Sequence, residues 1–221
     1  MLAIPADRLG DLLRPARLLC DVFSAMDERE ARVAVSPEAR IDHDLVARAN
    51  RGDAEAFEAL YRRHRDWVVG VARRYTTSPD DALDTLQDTF AYFFAKFPGF
   101  ELTAALRSFL FPVVKHVALS RKRKDRPHDD LATIPERHLG VRPGEPSEIE
   151  TLLAELPETH RDVVWLRFAD DMSLKDIAVA LDIPLGTVKS RLHNGLEMIR
   201  ERHASSGVRA TRASPRKEVG S

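Results

Sequence analysis

The residues with the clearest chemical pattern lie in a short stretch toward the C-terminal end of the chain. Hydroxyl, amide and basic side chains recur there at a spacing that would place them on one exposed helix face: Thr187, Lys189, Ser190, Arg191, His193 and Asn194. Groups of these types hydrogen-bond to base edges and phosphates, and a single helix fits the major groove of B-DNA. The stretch therefore predicts a DNA-binding helix.

The segment before this helix predicts a second helix that would hold it in place. Ser173, with Asp176 three residues later, is typical of a helix start. The apolar face of this helix would consist of Leu174, Ile177, Ala178 and Leu181. Asp182-Ile183-Pro184 predicts a tight turn. Beyond the turn, the inward positions would be Leu185, Val188, Leu192 and Leu196. Two helices joined by such a turn indicate a helix-turn-helix.

A second polar pattern lies on a helix predicted over 79–97, with Ser78 as its cap and Pro79 in its first turn. One face is apolar and would contact a core through Leu83, Leu86, Phe90, Phe93, Phe94 and Phe97. The other face is an acidic and amide stripe made of Asp81, Asp84, Gln87 and Asp88. Such a stripe is usually solvated surface, and it also suits the docking of a basic partner helix. The residues alone leave both interpretations open.

The third pattern is a basic run at the end of a helix predicted over about 103–124. Its members are Lys115, Arg121, Lys122, Arg123 and Lys124. Cations of this kind neutralise phosphates and supply affinity rather than sequence recognition. They also stabilise the C-terminal end of a helix, so a purely structural role stays open. Pro112 is expected to kink or split this helix.

No residue pattern indicates catalysis or a metal site. The eight histidines show no metal-ligand spacing, and no nucleophile motif or phosphate-binding loop occurs. Because Cys20 is the single cysteine, disulfides are excluded and a cysteine-rich zinc site nearly so. We therefore predict a protein without enzymatic activity, metal or cofactor.

Composition and patterning predict an all-α protein with two small helical domains joined by a flexible linker, the C-terminal domain being the helix-turn-helix. Net charge is −1 although 31% of residues are charged, so DNA contact must come from local basic patches. No apolar run reaches transmembrane length and we expect no signal peptide. The single cysteine fits the reducing cytoplasm.

The chain divides into five predicted segments. They are an N-terminal extension with no assigned function at 1–40, a helical domain at 41–124, a proline-containing flexible linker at 125–147, the helix-turn-helix domain at 148–203 and a disordered tail at 204–221. Because the linker is rich in proline and polar residues, we expect the two domains to be independent of each other.

Two parts of the chain resemble a known family, the extracytoplasmic-function (ECF) sigma factors of bacterial RNA polymerase. The fourth region of that family is matched by Leu156-Pro157, Arg161, Val163, Leu166-Arg167, Ser173, Ile177-Ala178, Leu181 and 186–192. The second region is matched by 52–57, Leu60-Tyr61 and 80–90. Two matches in the right order, separated by a linker, are far more specific than either one.

The resemblance implies a sigma factor that binds core RNA polymerase and directs promoter recognition and transcription initiation. The helix-turn-helix would recognise the upstream (minus-thirty-five) element, and the acidic face of 79–97 would bind polymerase. The helix at 103–124 and the loop at 97–102 would engage and melt the minus-ten element, although we expect Phe97 and Phe100 to be core residues. The implied partners are core RNA polymerase, promoter DNA and, as a further candidate, an anti-sigma factor.

The chain departs from the family pattern in both DNA-contacting helices. Asn194, Gly195 and Leu196 replace a frequent basic residue, Ala and Arg, and Gly195 should weaken its helix by ~1 kcal/mol relative to Ala. In the other helix, the departures are Phe109-Leu110 in place of Trp-Leu, His116 in place of Asn and Ser120 in place of Asp. The downstream promoter preference therefore does not transfer from the family.

Two other binding functions compete with this interpretation. A stand-alone helix-turn-helix regulator would bind DNA as a dimer and need no polymerase, but the acidic match at 80–90 and the lack of a receiver pattern argue against it. A sigma-like decoy would bind an anti-sigma partner but not DNA, and the basic runs argue against that.

Overall fold

The computed structural model describes residues 37–124 and 148–212, and these residues form helices and connecting turns without a strand. The first domain contains α1 (Pro37–Ala49), α2 (Ala54–Ala72), α3 (Pro79–Phe94) and α4 (Leu106–Lys124). The second contains α5 (Glu148–Ala154), α6 (Glu158–Phe168), α7 (Leu174–Leu181) and α8 (Leu185–Arg212). The all-α class with two helical domains is confirmed. The predicted linker at 125–147 and most of the N-terminal extension lie outside the described residues.

Three helices begin directly after a capping residue, and two of these caps, Ser78 and Ser173, are the predicted ones. Asp53 accepts hydrogen bonds from two backbone N–H groups of the first turn of α2. Ser78 Oγ accepts one from the Asp81 N–H at 3.0 Å, and Pro79 lies in the first turn of α3. Ser173 Oγ accepts one from the Asp176 N–H at 3.1 Å at the start of α7. Each bond satisfies a donor that the helix itself leaves unpaired.

Other helix bounds differ from the prediction. The first helix begins at Pro37, before the predicted start of the first domain at residue 41, since proline is favourable at the first helical position. Pro112 does not split α4, which is packed against α2, α3 and α7, and this packing outweighs the penalty of about 3 kcal/mol for an internal proline.

The last helix passes the predicted end at His203 and reaches Arg212, so 204–212 are not the disordered tail we expected. No proline interrupts this stretch before Pro215.

An aromatic cluster forms the core of the first domain. The fully buried ring of Phe93 contacts those of Phe97, Phe100 and Phe109, with centroids 5.3, 5.3 and 5.8 Å apart. The expectation that Phe97 and Phe100 belong to the core is confirmed, because both pack half-buried against it. The expectation for Leu83 is wrong, since 47% of this residue is exposed.

In the second domain, α7 and α8 pack as the helix-turn-helix pattern predicts. Val188, Leu192 and Leu196 are buried, as are Leu174 and Ile177. The predicted inward residues Ala178 and Leu181 are only half-buried. The turn between the helices passes through Asp182 in the left-handed conformation at φ 51°, which an aspartate tolerates better than most residues.

The glycine that we expected to weaken α8 has a packing role. A Cβ atom on Gly195 would lie 3.1 Å from Cγ2 of Val164 and 3.6 Å from Cβ of His160. The absence of a side chain therefore lets α8 approach α6 closely. Gly186, in the first turn of the same helix, has no such neighbour within 4 Å.

Two matched substitutions should therefore change the free energy of unfolding by different amounts. Gly186→Ala should stabilise the protein by up to about 1 kcal/mol, because alanine is the better helix former. Gly195→Ala should give none of this gain, since overpacking at Val164 opposes it. Urea denaturation of both variants compares the two free energies of unfolding. A gain at Gly195 equal to that at Gly186 would contradict the packing role.

The two domains are in contact, contrary to the expected independence. α4 packs along α7, and buried side chains of the two domains hydrogen-bond to each other. The linker composition could not indicate this, because the contacts join residues about a hundred positions apart in the chain, such as Trp67 and Asp170.

Candidate DNA and polymerase interfaces

The predicted DNA-binding residues lie together on the outer side of α8. Ser190, His193 and Asn194 are exposed, and Thr187, Lys189 and Arg191 are half-buried. The opposite side of the helix carries the buried Val188 and Leu192. Because the apolar side fixes the rotation of α8, the six polar side chains share the surface that a major groove would meet.

The electrostatics near this surface act on His160. Burial, and then the positive charge of Arg191, lower the pKa of His160 on the neighbouring helix α6. The imidazole is therefore neutral at physiological pH, and His160 adds no charge beside the guanidinium. Arg191 supplies the positive charge at this point of the surface.

The acidic stripe on α3 faces outward, and the structure adds a residue to it. Asp84, Gln87 and Asp88 are exposed, and Asp81 is half-buried. Leu83 lies on the same side, four residues before Gln87, so the stripe has an exposed apolar member that sequence reasoning missed. The helical period of the sequence could have revealed this. A helix that buries Ala82, Leu86, Thr89 and Phe93 on one side leaves position 83 on the outside.

The predicted basic run does not form one free surface. Arg121 binds back to the acidic stripe, with Nη1 2.9 Å from Asp84 Oδ2 and Nε 3.0 Å from Asp88 Oδ2. The hydrogen bond to Asp88 and the charges of Asp88 and Asp84 raise the pKa of Arg121. In this conformation Arg121 therefore partly neutralises the candidate polymerase surface. All three side chains are substantially exposed, so the interaction is weak and reversible.

Lys115 is also engaged within the protein. Its Nζ lies 2.6 Å from Asp162 Oδ2 and also contacts Glu158, both on α6 of the second domain. Lys115 is therefore not available to DNA in this arrangement, and its role as a DNA contact stays a prediction. Lys122 is half-buried, and the exposed Arg123 donates to Ser120 Oγ at 3.0 Å. The side chain of Lys124 lies outside the described residues.

Asn50 fixes the loop that precedes α4, and sequence reasoning missed it. Its Oδ1 accepts hydrogen bonds from the Gly99 and Phe100 N–H groups at 2.7 and 3.1 Å, and its Nδ2 donates to the Phe100 carbonyl at 2.9 Å. Gly99 has φ +98°, a conformation that favours glycine. No local pattern reveals a contact across fifty positions.

A cavity of about 610 Å³ lies beside this loop and opens to solvent between the two domains. The loop contributes Phe100, Glu101 and Leu102, and the helices contribute Tyr92, Phe109, His116 and Val179 among others. Aromatic walls with polar groups at the edge suit a planar, unstacked base. Tyr92 and Val179 are both exposed on its rim.

The comparisons with known proteins agree with this arrangement. Residues 60–127 match the family model Sigma-70 region 2, and residues 147–199 match Sigma-70, region 4. The ECF RNA polymerase sigma factor SigM of Mycobacterium tuberculosis is 31% identical over 157 residues, which cover 69% of this chain and 79% of SigM. This chain belongs to the ECF sigma factors. The region 2 match includes the α3 stripe and α4, and the region 4 match includes the outer face of α8.

The matches to other relatives of this ECF sigma factor cover a larger share of the relative's own chain. SigW of Bacillus subtilis is 25% identical over 174 residues, covering 71% of this chain and 93% of SigW. The solved structure of CnrH in complex with the cytosolic domain of CnrY shares the fold, with a TM-score of 0.58 and 22% identity. It covers 75% of this chain and 98% of CnrH. Among the described helices, none is long and apolar enough to cross a membrane.

Proposed function

We propose that this ECF sigma factor binds core RNA polymerase through the α3 stripe and directs it to promoters by means of α8. The observation that carries the proposal is that each helical domain presents a different surface outward. The surface of the first domain is acidic, and that of the second carries hydroxyl, amide and basic groups. The α3 stripe combines Asp84, Gln87 and Asp88 with exposed Leu83 at its edge, and an acidic surface beside an exposed apolar group suits a basic protein partner. The α8 surface suits DNA.

The two DNA contacts would have different roles. α8 would recognise the upstream element through its hydroxyl, amide and basic groups. The loop held by Asn50, with the first-domain wall of the adjacent cavity, would accept a base of the melted minus-ten element by stacking and edge contacts. Arg123, exposed on α4, would add a phosphate contact without sequence preference.

The remaining parts of the proposed function follow from family membership. The protein would act in the cytoplasm, where core polymerase is, and as a binding factor without catalysis of its own. CnrH was solved with the cytosolic domain of CnrY, and RpoE of Bartonella quintana with the anti-sigma factor NepR. We therefore propose that an anti-sigma factor is a further partner of this chain.

The test of this function is a charge reversal on the α3 stripe. Asp84→Lys with Asp88→Lys should weaken binding to core polymerase at least tenfold, roughly 1.4 kcal/mol, because like charges would face the basic partner. Fluorescence anisotropy of labelled sigma factor titrated with core polymerase measures the affinity. The uncharged variant Leu83→Ala should also weaken binding, since it removes the exposed apolar group beside the acidic residues.

The matched control places the same charge change elsewhere. Glu55 and Asp66 lie on α2 with side chains that are 90% and 87% exposed. Glu55→Lys with Asp66→Lys should leave core affinity within twofold, and circular dichroism should show both double variants folded. If the α3 variant bound core as tightly as this control, the proposed polymerase surface would be wrong.

A further inference from the structure

Two buried aspartates of the second domain take their side-chain donors from the first domain. Asp170, whose side chain is 0% exposed, accepts a hydrogen bond from Trp67 Nε1 at 3.0 Å. Arg74 binds the same carboxylate in bidentate fashion, with its two terminal nitrogens 2.7 and 2.8 Å from Oδ2 and Oδ1. The Arg74 guanidinium also lies 4.7 Å from the ring centre of Trp165 on α6. Both oxygens of the Asp170 carboxylate thus have charged or N–H donors from the other domain. These bonds form only when the two domains are packed in this arrangement.

The second carboxylate is that of Asp162, one turn after the start of α6. Its Oδ1 accepts from the Tyr75 hydroxyl at 2.7 Å, and its Oδ2 accepts from Lys115 Nζ at 2.6 Å. Burial, and then the charge of Asp162, raise the pKa of Tyr75 well above its ordinary value, so the hydroxyl stays protonated and donates. Burial acts to lower the pKa of Lys115, but Asp162 and Glu158 outweigh it and raise the pKa.

This closed arrangement conflicts with promoter binding in two ways. Lys115 is bound to the second domain and is therefore withheld from phosphates. In addition, α4 and α7 are in direct contact, so the two DNA-contacting domains lie side by side. Elements named minus-ten and minus-thirty-five are about 25 base pairs apart, which is roughly 85 Å of B-DNA at 3.4 Å per base pair. Domains in contact along their helices cannot reach both.

We propose that Asp162 and Asp170, with Trp67, Arg74, Tyr75 and Lys115, form an interdomain latch that keeps the free sigma factor closed and inactive. Assembly with core polymerase then requires the latch to open, so that each domain reaches its own promoter element. The proposal rests on the proposed function for its consequence in transcription, but the closed state itself belongs to the free protein. It accounts for Asp162, Asp170 and Arg74, buried charged residues that neither candidate interface uses.

The first test measures the domain separation in the free protein. Spin labels are placed by Asp66→Cys on α2 and Lys175→Cys on α7, both exposed, in a Cys20→Ser background without other cysteines. Pulsed electron paramagnetic resonance should give one short, narrow distance distribution. Asp162→Asn with Asp170→Asn should broaden and lengthen it, whereas Asp171→Asn, an exposed neighbour at φ 55°, should not. An unchanged distribution in the latch variant would contradict the latch.

A second variant covers the case in which the aspartate variant fails to fold. Tyr75→Phe with Lys115→Gln removes the donors to Asp162 from the first domain and leaves the second domain unchanged. It should lengthen the same distance. In both variants, half-maximal assembly with core polymerase should need about tenfold less sigma factor if nine-tenths of the free protein is closed. Equal or weaker assembly by a folded, opened variant would overturn the inhibitory role.

The third test holds the latch closed. Ser108 and Asp176 face each other across the domain boundary, with Oγ 3.5 Å from Oδ1. Ser108→Cys with Asp176→Cys, also in the Cys20→Ser background, should form a disulfide on oxidation that abolishes promoter opening with core polymerase, and reductant should restore it. Opening by the oxidised protein at the rate of the reduced one, or failure of the disulfide to form, would overturn the latch. If wild type opened no promoter either, the proposed function would fail, while the distances in the free protein would still decide the latch.

Discussion

Replacing Lys189 and Arg191 by alanine is expected to remove recognition of the upstream promoter element. Both side chains are half-buried at the two edges of the outer face of α8, on either side of the buried Val188 and Leu192. Each lost bidentate contact to a base should raise the free energy of binding by about 1–3 kcal/mol, so the pair should lower upstream recognition by roughly one to four orders of magnitude. Permanganate footprinting of promoters opened by core polymerase with each variant measures the effect.

The control for this prediction lies in the other domain. Arg123 is exposed on α4, and its described hydrogen bond goes to Ser120. Arg123→Ala should weaken binding to all promoters alike and lower the slope of log affinity against log salt by about one. A stand-alone regulator would bind the upstream element without polymerase and be indifferent to Arg123. Unchanged promoter choice in the Lys189 and Arg191 variant would exclude α8 as the recognition helix.

The second large effect concerns the aromatic cluster of the first domain. Phe93→Ala should destabilise the protein by about 3–5 kcal/mol. It leaves a cavity between the surrounding phenylalanine rings, which fill it only in part. A loss of this size is a large part of the stability of a small domain. Since Phe93 supports Phe97 and Phe100, the loop at 97–102 should lose its conformation as well.

Urea denaturation followed by tryptophan fluorescence measures this loss, and Tyr92→Ala is the matched control. Tyr92 is adjacent in α3 but 46% exposed, and its ring stacks on Phe109 at 6.4 Å. Its removal should lower the free energy of unfolding by less than about 1 kcal/mol, because an exposed ring leaves no cavity. Equal losses in the two variants would show that burial in the cluster is not what stabilises α3.

The family resemblance was recognisable from the sequence because its motifs are local. The string from Ser173 to Leu192 combines a cap, an apolar period and a turn, all of which depend on residues a few positions apart. The same locality explains the correctly predicted helix start at Ser78. The error at Leu83 had another cause: the residue was assigned to the core because it is apolar, although its position in the local helical period is outward.

The sequence by itself determined the all-α class, the helix-turn-helix and the outward face of α8, since helical periodicity and capping act over one or two turns. The tertiary structure alone decided which charged groups are engaged. Arg121 binds Asp84 and Asp88, and Lys115 binds Asp162, because folding brings α4 beside α3 and α6. Asp170 likewise meets Trp67 and Arg74 only across the domain boundary. Such pairs join positions far apart in the chain, and their formation depends on how the helices pack rather than on any local pattern.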